Sequence, residues 1–241
     1  MQMAQVSRPW LAFEISDSAL ALGLVAAAQG IPQILSSPFG GLAADRLPKR
    51  TVLLVSQLVL LGMFTAMALI VFLDVVAIWM LVSLALVHGV TIPFNNPVRQ
   101  SYIPTLLPRE LLPNGVAVHA SVRNLNQVLV PSIAGVLLQI QPSFAFISMV
   151  GLHLVSTAFG TRLPQAPAVE SKSRGVRGEL FAGVNYSLRH PVLRLLLLLV
   201  VLAQVFGLPY QHLLPVFQNQ VLEVGPSHLG FMYTSLGAGA L

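Results

Sequence analysis

FGGLAADRLPKRTVLL, residues 39–54, sets one acid and three bases into an otherwise apolar stretch. The nearest charges outside it are Asp17 and Asp74, so a long uncharged run lies on either side. A hydrocarbon core about 30 Å thick needs about 20 helical residues to cross it. Both flanking runs are long enough, and the charged stretch between them is short. Two membrane spans joined by a tight, charged turn is the reading that fits.

Composition agrees. The chain is 55% hydrophobic and 9% charged, against about 25% charged in ordinary soluble domains. Mean hydropathy is +0.79. There are no cysteines, which excludes a disulfide framework and thiolate metal ligation. The net charge of +5 resembles a nucleic-acid signal only in its sign, because the bases sit between apolar runs and not along one solvated face. No nucleic-acid partner is expected. Residues 1–19 lack the basic leader, apolar core and small-residue cleavage site of a signal peptide.

Working outward, apolar segments recur at 19–44, 51–73, 75–98, 111–141, 142–161, 195–221 and 227–241. Their length and lack of strict alternation indicate helices, so the expected class is an all-α membrane protein. The connections alternate in charge. One set carries Arg46, Lys49, Arg50, Arg99, Arg109, Arg162, Lys172, Arg174, Arg177, Arg189 and Arg194; the other carries no lysine or arginine, only Glu14, Asp17, Asp74 and Glu223. Basic connections stay in the cytoplasm, which places the first set inside. Arg8 and Arg123 fall outside the pattern. Residues 165–194 form the one long polar connection, with an amphipathic helix expected at 179–189. The expected organisation is a transmembrane bundle at 1–163, a cytoplasmic loop at 164–190, and the start of a second bundle at 191–241.

The opening stretch resembles the signature loop of the major facilitator superfamily of transporters, Gly-x-x-x-Asp-Arg-x-Gly-Arg-Arg. Gly41, Asp45, Arg46, Lys49 and Arg50 match it, and Pro48 replaces its second glycine. The resemblance implies that Gly41 allows close helix contact and that Asp45 and the bases form a latch between bundles. The same bases would equally serve as topology markers. NNPVRQSYIPTLLP (95–108) and ELFAGVNYSLRHPVLRLL (179–196) resemble the drug and siderophore exporters of that superfamily, the branch with enterobactin and macrolide efflux proteins. In that branch Arg99 would join a cytoplasmic network beside the latch; otherwise it is an interfacial snorkelling arginine. NLNQVLVPSIAGVLL is similar to the family's antiporter kink, with Pro131 and Gly135 retained. Residues 1–24 resemble the second half of the family's first helix and its outer loop. The last apolar run resembles the start of helix eight. The resemblance therefore implies a fragment of a twelve-helix transporter, monomeric when whole, in a bacterial cytoplasmic membrane.

Polar residues inside spans are few. His119, Arg123 and Asn126, with Gln127 at the edge, share one helix face, and Arg123 lies nine residues past Asn114, about 14 Å at the helical rise. That face either lines a central cavity, with Arg123 attracting anionic substrate groups, or forms a hydrogen-bonded cluster between helices. Gln29 and Gln33 present the same choice. No aspartate or glutamate lies at membrane depth, so Glu14, His88, His119 and His153 are the candidates for carrying a coupling proton, the histidines being packing residues otherwise.

No hydrolase, zinc-protease or ATPase motif is present, and neither cofactor nor metal is expected. Two readings follow: a secondary exporter of small amphipathic or anionic compounds, proton-driven and working by alternating access, or a truncated, non-transporting membrane protein, either a remnant or a partner that docks on another transporter.

Overall fold

The computed structural model describes residues 2–165, 185–203, 206 and 210–239. Among these, every regular element is a helix. In chain order they are α1 (Gln2–Ser16), α2 (Ala19–Arg46), α3 (Lys49–Phe72), α4 (Ile78–Leu106), a single 3-10 turn (Arg109–Leu111), α5 (Leu112–Ile140), α6 (Pro142–Gly160), α7 (Pro191–Leu202), α8 (Tyr210–Val216), which runs into a π turn (Phe217–Val221), and α9 (Pro226–Ala238). The part of the expected amphipathic helix at 179–184 lies outside the described residues, as do Lys172, Arg174 and Arg177; residues 185–189 are helical.

Four described helices, α2, α3, α4 and α6, are long and apolar enough to cross a membrane. Helix α5 has the length, 29 residues, but its polar face lowers its hydropathy below that of its neighbours. Three expected boundaries are corrected. Helix α4 starts at Ile78, not at 75, and continues to Leu106 with Pro93, Pro97 and Pro104 inside it. The polar stretch after 98 is therefore helix and not connection. Membrane helices accommodate interior prolines where neighbours satisfy the freed carbonyls, and the close packing of α2 on α4 supplies such neighbours. Helix α7 likewise begins at Pro191, earlier than 195.

Three of the turns share one device. Asp17, Asp74 and Glu223 all adopt left-handed backbone, with φ of 45°, 54° and 52°, just past the ends of α1, α3 and the π turn. Glycine is the usual residue there. Here the three helix stops are made by acids.

Helix α1 is the most enclosed element. Ten of its residues, from Met3 to Phe13, are buried as it packs on α2, α4, α5 and α6. With Leu60, Phe64, Met67, Leu81 and Phe146 it builds the main core. A smaller cluster, Ala43, Ala44, Val52, Leu53, Val98 and Tyr102, sits under the charged turn. The α2–α4 pair is the tightest seam because small residues let the backbones touch. A Cβ placed on Gly40 would fall 2.0 Å from the Pro93 carbonyl oxygen, and one on Gly89 would fall 2.2 Å from that of Gln29. Gly41, expected to make the close contact, has open space around it. The helical phase turns its neighbour Gly40 onto α4 instead. Helix α9 packs on α5, where Gly135 meets Gly230 and Ser132 Oγ lies 2.6 Å from Thr234 Oγ1. Helix α7 buries none of its residues.

Candidate functional site

The two arginines that break the charge alternation occupy comparable depths. Arg123 stands nine residues from Asn114 at the inner end of α5, and Arg8 nine residues from Asp17 at the outer end of α1, each about 14 Å along its helix. In a core about 30 Å thick both are near the middle.

Arg8 is buried, at 2% exposure. Its guanidinium donates from Nη1 to Gln29 Oε1 at 2.8 Å on α2 and from Nη2 to His88 Nδ1 at 2.9 Å on α4. Because the guanidinium has no acceptor capacity, His88 must offer a lone pair at Nδ1, and its neutral ring carries its proton on Nε2. Arg8 Nε and His88 Nε2 are both buried and without hydrogen-bond partners. No salt bridge reaches Arg8 among the described residues, and α1, α2 and α4 bring no carboxylate to its level. The edge of His88 meets the Phe64 ring at a centroid distance of 5.9 Å, and His153 of α6 packs on the other neighbouring part of that ring at 4.5 Å. His153 Nδ1 lies 3.0 Å from the Met149 carbonyl oxygen. The result is a polar string, Gln29–Arg8–His88, continued through Phe64 to His153, across five helices.

Sequence reasoning marked Gln29, His88 and His153 separately but gave Arg8 no role. The available signal was its position: a lone base in an apolar segment, off the inside–outside pattern. The structure joins Gln29 and His88 through it. Gln33, one turn further along α2, is half-buried and outside this set, and Glu14 is exposed at the outer end of α1.

The α5 face is built differently. Arg123, Asn126 and Gln127 are exposed, and His119 is half-buried. Pro131 and Gly135 are buried where α9 crosses α5, so these two residues serve the contact with α9 within a continuous helix.

At the charged turn, Lys49 is buried and donates Nζ to the Ser101 carbonyl of α4 at 2.9 Å. Arg50 donates to the carbonyl of Thr161, the residue closing α6. Cations placed on carbonyls toward helix C-terminal ends are favourable, so the basic end of the motif ties α3 to α4 and α6. Tyr102 Oη donates to the Pro164 carbonyl at 3.0 Å, at the same end of the helices. Asp45 and Arg99 are exposed, and Asp45 makes no hydrogen bond or ion pair among the described residues. Arg46 is half-buried.

Comparison with known proteins agrees with this architecture. The family model described as transmembrane secretion effector matches residues 1–241, the whole chain. The chain belongs to that family, a branch of the major facilitator superfamily. Macrolide efflux protein A of Streptococcus pyogenes is 20% identical, over 95% of this chain and 57% of its own length. The multidrug efflux pump Tap of Mycolicibacterium fortuitum is 25% identical, over 98% of this chain and 60% of its own length. The staphyloferrin A transporter of Staphylococcus aureus is 22% identical, over 99% and 61%. The chain thus spans about three fifths of the length of these relatives. It is a multi-pass membrane protein of a transporter family.

Proposed function

We propose that the chain forms the substrate-handling part of a proton-coupled secondary exporter of small amphipathic or anionic compounds, drugs or siderophores, working by alternating access in a bacterial cytoplasmic membrane. The family relatives, named for macrolide, multidrug and staphyloferrin A transport, support the compound class. In this reading residues 1–163 are one bundle, 164–190 the cytoplasmic loop, and 191–241 the start of the second bundle, with α5 and α9 meeting across the gap. The chain acts as a transporter and not as an enzyme, and the whole protein works as a monomer.

One observation carries the reading. Arg123 lies mid-span on α5 on the helix face it shares with His119, Asn126 and Gln127. A guanidinium at that depth is costly against hydrocarbon, so the face opens on an aqueous, substrate-binding cavity. His88, His153 and Glu14 are the candidates for carrying the coupling proton. Asp45, with Gly41, Arg46, Lys49, Arg50 and Arg99, forms the cytoplasmic latch that stabilises one of the two states.

The test is efflux of a macrolide by an exporter-deficient bacterium expressing the protein. Arg123→Gln is expected to lower efflux about tenfold, the scale of one lost charged contact of about 1.4 kcal/mol, at unchanged membrane abundance. Efflux by the variant at the wild-type rate refutes the cavity role. Efflux unaffected by collapse of the proton gradient refutes the coupling, and no efflux by the whole protein supports the non-transporting alternative.

A further inference from the structure

The Arg8 string is more than a helix clamp. A guanidinium 2% exposed, with only neutral partners at 2.8 and 2.9 Å and no carboxylate at its level among the described residues, is an uncompensated charge in a medium where such a charge costs several kcal/mol. The unpaired polar atoms on its members, Arg8 Nε and His88 Nε2, are both donors under the tautomer that Arg8 imposes. The cluster is short of acceptors and of negative charge. Among its members only Gln29 is part-exposed, on the α2 face that continues to Gln33, which gives the cluster its way out.

We propose that Arg8, Gln29 and His88 form an anion site that binds a small carboxylate together with one proton. The carboxylate pairs with Arg8 and draws it off His88 Nδ1; His88, released from its donor, takes a proton at that nitrogen from hydronium of the aqueous phase, which is left as water. No covalent bond between heavy atoms changes, and the added proton and added anion sum to zero charge. While Arg8 is bonded to Nδ1, protonation there is blocked, since it removes the acceptor and sets two cations at 2.9 Å. Proton and carboxylate therefore promote each other's binding, as opposite charges at one site must. The charged or titratable groups acting on His88 are Arg8 of α1, His153 of α6 behind the Phe64 ring, and the α-amino group; α2 brings the neutral Gln29 and α3 the neutral Phe64.

The site deepens the transport reading by adding a ligand class and a sign. Co-binding moves an anion and a proton in the same direction, so exchange of anionic cargo for protons falls to His153 or Glu14 and not to His88. It does not depend on Arg123.

The experiment is equilibrium binding of radiolabelled benzoate to the purified chain in lipid nanodiscs at about pH 5 and about pH 8, either side of the histidine range. Binding about tenfold tighter at the lower pH is expected. Arg8→Gln abolishes the saturable component that tightens at the lower pH, and Arg123→Gln retains that component. His88→Gln keeps a side-chain oxygen for the guanidinium without a titrating group, and is expected to bind with one affinity at both pH values. Equal wild-type affinity at both pH values, absence of saturable binding, or wild-type binding by Arg8→Gln overturns the proposal. If Arg8→Gln does not fold by circular dichroism, His88→Gln decides alone: a pH dependence that survives there, and vanishes in His153→Gln, also overturns it. Loss of efflux in Arg123→Gln with benzoate binding intact would uphold the cavity reading and this site separately.

Discussion

Arg8 and Arg123 carry the same group at comparable depth, yet one is sealed among three helices and the other stands on an open face. The difference comes from what surrounds each helix. Helix α1 is packed on four sides, so its polar residue had to find partners inside protein, and it found Gln29 and His88. Helix α5 is crossed by α9 from Gly135 back to Gln127, where Gly237 meets the Gln127 carbonyl and Thr234 Oγ1 donates to the Val128 carbonyl. Burial makes the first arginine part of the folding energetics, while the second makes no hydrogen bond or ion pair among the described residues.

The sharpest way to break this contrast is to remove a partner on each side. His88→Leu takes away a buried acceptor from a charged donor and leaves the cation with Gln29 alone. Breaking a buried interaction of this kind costs about 3 kcal/mol. Arg123→Leu removes an exposed side chain that holds no partner in the fold, and is expected to change stability by less than about 0.5 kcal/mol. Unfolding in mixed detergent micelles measures both. Equal losses would mean that the two arginines do the same structural work.

A second contrast tests the seam that holds the Arg8 string together. Gly89→Val sets a Cβ 2.2 Å from the Gln29 backbone oxygen, so α2 must shift, carrying Gln29 away from Arg8. Overpacking of this kind costs about 2 kcal/mol. Gly41→Val enters open space and is expected to stay within about 0.5 kcal/mol of wild type, by the same unfolding measurement. A large loss at Gly41 would return the close contact to the position that the signature loop implies.

Much of the fold was legible in residues 39–54 and in the alternation of basic and acidic connections, because membrane insertion writes topology directly into charge. Hydropathy failed at two places for physical reasons. Residues 99–106 are polar and carry Pro104, which reads as a connection, but α4 continues through them on the support of Lys49 and the packing around Val98 and Tyr102. The close glycine is Gly40 and not Gly41, since the motif fixes spacing along the chain but not which side of α2 meets α4. The candidate site was half legible. His88 and Gln29 stand 59 residues apart in sequence, and nothing in one chain's pattern says that Arg8 lies between them. That required the crossing of α1, α2 and α4.

The smallest effect separates a buried neutral pair from the buried charged one. Asn95, fully enclosed at 0% exposure, donates from Nδ2 to Ser56 Oγ at 2.9 Å, and Ser56 in turn donates to the Leu53 carbonyl at 2.9 Å. Asn95 Oδ1 has no partner, so Ser56→Ala leaves the whole amide group unpaired between α3 and α4. Hydrogen bonds between membrane helices contribute about 0.6 kcal/mol on average and up to about 1.7; with both ends of Asn95 orphaned, a loss of about 1 kcal/mol is expected on the same unfolding scale. A loss as large as that of His88→Leu would show that burial alone, and not charge, sets the energetics of the interior, and Arg8 would then be one more buried hydrogen-bonding group.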